Sequence, residues 1–150
     1  MERGEEMAEY DKAVHSADIL TARLVAFYAN LGEDTVAKQD IASEIGVSPG
    51  AISRIDNVTD QNRYSVRNLV VIAQMLSVDD HEGLIEPGYL IPSDSSLKRA
   101  FDEDKDKALS TIFPEYTGDV TEAFIKRVLE DMFAIEKDRA LNPRTRKTKD

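Results

Sequence analysis

Few residues in this sequence stand in patterns that could carry covalent or metal chemistry. Ser93, Ser95 and Ser96 lie close to Lys98, the residue types of a nucleophile and its base. Such a pair must meet in a folded cleft, however, and serines ahead of an amphipathic run more often accept bonds from the free amides of a helix start. Asp102, Asp104 and Asp106 alternate like the opening of a calcium loop, but Lys107 stands where that loop needs glycine and Phe113 where it needs a bidentate glutamate. The run reads as a charged helix face. Asp11, His15 and Asp18 fall on one side of a helix, a triplet common on solvated surfaces, and His81 sits among Asp79, Asp80 and Glu82 in a polar stretch. Cysteine is absent, which removes disulfides, thiolate zinc sites and a cysteine nucleophile. With no glycine-rich phosphate loop and no paired catalytic carboxylates, the expectation is a protein with no catalytic residue, no metal and no cofactor.

The elements that would position any site are helices. Glycine and proline cluster at a few places, and between them apolar residues recur at intervals of three and four. Leu20, Leu24, Phe27 and Leu31 mark one buried stripe, which Ser16 or Asp18 can cap and Gly32 can end, while Met7, Tyr10, Val14 and Ala17 continue its phase upstream as an extension over residues 1–16. A second helix reads from about Val36 to Ile45, with Gly46 as a left-handed stop. Ser48 followed by Pro49 opens a third, to about Asn57. Ser65 can cap a fourth whose Val66, Leu69, Val70, Ala73 and Leu76 repeat at intervals of three and four as its apolar stripe. Breakers then crowd residues 80–95, which read as a linker. Beyond it, one helix is expected through about Ile112, and Asp119 with Glu122 forms a capping box for a last one, from Val120 to about Ala140. Residues 141–150 read as a basic disordered tail. Strand signals are absent, so the predicted class is all-α: one domain over residues 17–79 followed by a pair of C-terminal helices over residues 96–140.

One segment combines several of these signals. Lys38 to Asn57 reads KQDIASEIGVSPGAISRIDN. Two helices that cross closely need a very small side chain at their contact, supplied by Ala42, and a turn residue that tolerates positive φ, supplied by Gly46. Ile41, Ile45, Val47, Ile52 and Ile55 are apolar where both helices must be buried, and polar residues fill the gaps. Ala42, Gly46, Ile52 and Ile55 are therefore structural positions of a helix-turn-helix unit.

On these residues the sequence resembles the Cro and lambda-repressor-like, or Xre, family of transcriptional regulators, over about Asp18 to Val78. The resemblance implies a compact helical domain, a lambda-repressor-like helix-turn-helix fold, whose third helix enters the major groove of double-stranded DNA. It implies Ser48, Pro49, Gly50, Ser53, Arg54 and Asn57 as groove-facing residues. Arg54 stands out because its planar fork matches guanine's two major-groove acceptors. Lys38, Gln39, Arg63, Tyr64, Arg67 and Asn68 would reach phosphates. The alternative is an antitoxin-like or regulator-binding protein-interaction module that keeps the helix-turn-helix shape.

Helix-turn-helix domains commonly act as two-fold dimers, since one recognition helix reads few base pairs. The wide apolar face of the last helix, with Val120, Phe124, Val128, Met132 and Ile135, is the expected homodimer interface, and an intramolecular cap on the core is the competing use of the same face. Arg139, Arg144, Arg146, Lys147 and Lys149 give the tail a phosphate-tracking option. The 150 residues carry 19 Lys and Arg against 29 Asp and Glu, a formal charge of -10. Within Ser48 to Met75, though, Arg54, Arg63 and Arg67 outnumber Asp56 and Asp60. The charged N-terminus and the lack of a long apolar run point to a soluble, cytoplasmic protein with no membrane partner.

Overall fold

The computed structural model describes residues 16–31, 36–48, 50–52, 63–79, 84–114, 116 and 121–141. Among them the chain is all-helical. Helix α1 spans Ala17–Ala29 and α2 Lys38–Ile45; residues 50–52 begin a further helical turn; α3 spans Val66–Asp79; a short 3₁₀ turn covers Pro87–Leu90; α4, α5 and α6 span Asp94–Glu103, Lys105–Ile112 and Glu122–Leu141.

Except at α2, the α-helix starts follow short polar side chains. Ser16, only 1% exposed, accepts a bond from the Ile19 amide, and Ser65 does the same for Asn68 at the head of α3. At α4, Ser93 accepts from the Ser96 amide while the Ser96 hydroxyl accepts from the Ser93 amide, a reciprocal pair that satisfies two orphan donors. The serines near Lys98 are thus engaged at a helix start. Lys98 itself bridges Asp94 and Glu122, each at 3.3 Å, and the hydrogen bonds that its ammonium donates to Asp94 first and then to Glu122 raise its pKa above the usual 10.5.

Several boundaries differ from the sequence expectation. Helix α1 stops at Ala29, where the Asn30 side chain donates back to the Ala26 carbonyl at 2.8 Å; Gly32, the expected stop, lies outside the described residues. The single helix expected through Ile112 is two. Asp104 adopts an extended conformation (φ -160°, ψ 97°) and its carboxylate accepts from the Lys107 amide at 3.1 Å, so one residue ends α4 and caps α5. The last helix is capped by Thr121, whose hydroxyl accepts from the Phe124 amide at 3.1 Å; Asp119 and Val120 lie outside the described residues. Along α3, Leu69, Ile72, Ala73 and Leu76 form the buried stripe, and the expected members Val66 and Val70 are 71% and 41% exposed.

The stretch read as a linker is part of the core where it is described. Leu90 is fully buried, Ile85 and Pro92 are buried, and Ser77 on α3 ties down Ile85 by accepting its amide at 2.7 Å and donating to its carbonyl at 3.1 Å. The 3₁₀ turn contacts α1, α3 and α4, bringing its apolar residues under all three. Arg99 of α4 lies over the Tyr89 ring, 4.2 Å from its centroid.

One continuous apolar core joins the two halves of the chain, from Leu20 to Met132. Its axis is the antiparallel pair of α1 and α5. Arg23 donates to the Ile112 carbonyl at 2.9 Å, and Lys107 donates to the Asn30 carbonyl, so each helix has one carbonyl at its C-terminal end met by a cation from the other. Helix α6 lies against α4 and reaches the start of α1, where Arg139 pairs with Asp18 at 3.2 Å and Glu136 accepts from the Ala17 amide. Phe101, Phe113, Phe124 and Tyr116 form an aromatic cluster beneath it.

This packing redirects the expected dimerisation residues. Val128 is fully buried and Met132 is 5% exposed, both in the chain's own core; Phe124 is half-buried against Phe113 and Tyr116, and Ile135 is half-buried. The broad apolar face of α6 is covered from within the chain, because α4 and the aromatic cluster supply the surface that periodicity alone could not name.

Candidate nucleic-acid interface

The region from α2 to the helical turn at 50–52 is built around one glycine. Gly46 sits at φ +77° and ψ 33°, in the left-handed region. From there the Val47 amide donates to the Ala42 carbonyl at 2.9 Å and the Gly46 amide to the Ser43 carbonyl at 3.3 Å. These six-to-one and five-to-two bonds are the Schellman arrangement, which satisfies the last carbonyls of α2 and turns the chain sharply away. Two residues later Ser48 accepts a bond from the Ala51 amide at 3.2 Å, and the next helix begins. The connection is Gly46, Val47 and Ser48, a stop followed at once by a start.

Packing fixes the orientation of this corner. Ala42 is 1% exposed, Ile41 2% and Ile52 1%, so the small residue on α2 and the first apolar residue of the following turn are both in the core. Helix α2 lies against α3, which places the polar side of the corner outward. Ser48 and Gly50 are exposed, and the Ser48 hydroxyl, while accepting from Ala51, keeps its own proton to donate. Pro49, Ser53, Arg54, Ile55 and Asn57 lie outside the described residues.

The expected phosphate contacts divide. Lys38 and Gln39 are exposed in the first turn of α2, whose N-cap, Ala37, offers no side-chain acceptor to the leading amides. Arg63 and Arg67 are exposed at the entry to α3, and Asn68 is half-buried there. Tyr64 is different: at 9% exposure it belongs to the core, where its ring fills space that a polar residue in that loop would leave empty. Asp40 and Glu44, also exposed on α2, weaken the positive potential that Lys38 creates.

Sequence patterning missed Val66 and Val70. They flank Arg67 on the exposed side of α3, one turn apart, and a stricter helical wheel anchored on Leu69, Ile72 and Leu76 would have put them there. Among the described residues no group of three or more acidic or histidine side chains is placed to hold a metal, and no helix is long and apolar enough to cross a membrane.

Compared with protein-family models, with curated proteins and with solved structures, the chain matches none.

Proposed function

We propose that this protein is a sequence-specific DNA-binding regulator of transcription, acting as a dimer and most simply as a repressor, which reads the major groove with the helix from Pro49 to Asn57. The observation that carries the reading is the corner itself. A left-handed Gly46 with paired Schellman bonds, a buried Ala42, a Ser48 cap and a buried Ile52 are what a helix-turn-helix unit needs, and they occur together at the spacing the sequence resemblance requires. Exposed Lys38 and Gln39 on α2, Arg67 on α3 and Arg63 in the loop leading into α3 supply phosphate contacts on either side of the reading helix. Arg54 carries base discrimination. No catalytic group or cofactor takes part.

The charge distribution supports selectivity. Residues 35–79 hold five acids and four bases, against eight and three over residues 1–34 and sixteen and twelve over residues 80–150. The acidic flanks repel DNA that the reading helix does not fit, so loosely bound complexes are disfavoured.

A second reading, a protein-interaction module of the same shape, is favoured by one observation: exposed Val66 and Val70 put apolar surface beside Arg67, where a phosphate contact gains nothing from it. An electrophoretic shift with random-sequence and selected duplexes separates the two. Binding lost in Arg54→Ala supports the regulator; failure of the wild type to bind any duplex at low salt supports the interaction module.

A further inference from the structure

With its broad apolar face buried, α6 turns a second face to solvent, and this face has a symmetry of its own. Lys126, Glu130, Phe133, Ala134, Lys137 and Leu141 are all exposed, with Phe133 at 63% and Leu141 at 69%. On a helix of 3.6 residues per turn they fall in one strip about 100° wide, opposite the buried Ile125, Val128 and Met132.

Their positions, at steps of four, three, one, three and four, are spaced alike from either end. A two-fold axis midway between Phe133 and Ala134 places Glu130 opposite Lys137 of a second copy, and Lys137 opposite its Glu130. Lys126 then meets Leu141, where its methylene stem can lie along the apolar side chain with its ammonium in water. Phe133 faces Ala134, a large ring against a small neighbour, twice over. Parallel pairing of the same strip would stack Lys126, Glu130 and Lys137 each on its own kind. Neither Glu130 nor Lys137 has an ion pair among the described residues of its own chain, so both are available across the axis.

We propose that this face of α6 is a self-association surface whose occupant is a second copy of the chain, paired antiparallel through Phe133 and two Glu130–Lys137 ion pairs. The proposal concerns self-association alone and holds whether or not the chain binds DNA. From Lys126 to Leu141 the strip is about 22 Å long at 1.5 Å per residue and about 10 Å wide. That is small for an interface, so the dimer should be weak and reversible.

Charge reversal tests it in the full chain without DNA, by sedimentation equilibrium across a concentration series. Glu130→Lys and Lys137→Glu each place like charges opposite one another and should weaken the dimer about tenfold or more. The double variant restores both pairs, and an equimolar mixture of the two single variants restores them in a heterodimer; both should return to within about threefold of the wild-type constant. All the altered positions are exposed, and circular dichroism verifies that each variant is folded. A wild type that stays monomeric to about 1 mM overturns the proposal. So does a dimer indifferent to the single reversals, or one that neither the double variant nor the mixture restores.

Discussion

Replacing Gly46 by alanine should destabilise the protein by about 1–2 kcal/mol, entirely through backbone conformation. The residue holds φ +77°, where an L side chain places its Cβ too close to the following carbonyl, a penalty of roughly 1–2 kcal/mol. Nothing else contributes, since a Cβ built on Gly46 meets no heavy atom within 4 Å. Asparagine, which tolerates the left-handed region, should lose distinctly less than alanine. Gly88 is the internal control: a Cβ there also meets nothing within 4 Å and φ is not positive, so Gly88→Ala should be neutral or slightly stabilising. Urea denaturation of the three variants measures the differences, and for a chain of this length the alanine penalty corresponds to roughly 2–8 °C in Tm. Equal losses for Gly46→Ala and Gly88→Ala would refute the reasoning, as would an asparagine variant no better than alanine.

Four further outcomes follow from the packing and from the proposed DNA contacts. Leu90→Ala should destabilise by about 2–5 kcal/mol in chemical denaturation, as for any fully buried leucine, whereas a change in a loose linker would have almost no effect. Arg23→Met removes a charge-assisted bond to the Ile112 carbonyl and should destabilise by about 1–3 kcal/mol in the same assay, with α5 losing hydrogen-exchange protection first. Because the folded pKa of Lys98 lies above its unfolded value, the stabilisation from its bridge is complete below about 10.5 and is lost only as pH rises through the folded value; an NMR titration of its Nζ should show the upward shift shrinking with added salt. Arg67→Ala should weaken duplex binding evenly across sequences and lower the salt slope by about one, measured by fluorescence anisotropy.

Local signals were the most legible part of the sequence. Ser16, Ser48 and Ser65 cap helices as their type and position suggest, and Gly46 occupies the left-handed stop, because a cap or a left-handed glycine is decided by a few adjacent residues. Periodicity located the helices but mistook Val66 and Val70 for core, since five apolar positions over three turns fit two overlapping stripes and only the placement of Ile72 chooses between them. Tertiary partners were illegible. That Leu90 would fill the space between α1, α3 and α4, or that α6 would bury Val128 inside its own chain, depends on a facing surface far away in sequence. Asp104 hid for a different reason: an aspartate inside a charged run is an ordinary surface residue until its carboxylate is seen to accept the Lys107 amide. At the candidate interface the corner was readable from Ala42 and Gly46, while Tyr64 belonged to the core.

Sequence-specific duplex binding can be measured by selection from a random duplex pool with the full chain. Selection should recover a site bound at least about 10³-fold more tightly than random duplex at the same salt. Arg54→Ala should lose about 1–3 kcal/mol on that site, with relaxed preference at a single guanine. A pool that yields no enriched sequence, or an enriched site bound equally well by Arg54→Ala, would contradict this reading.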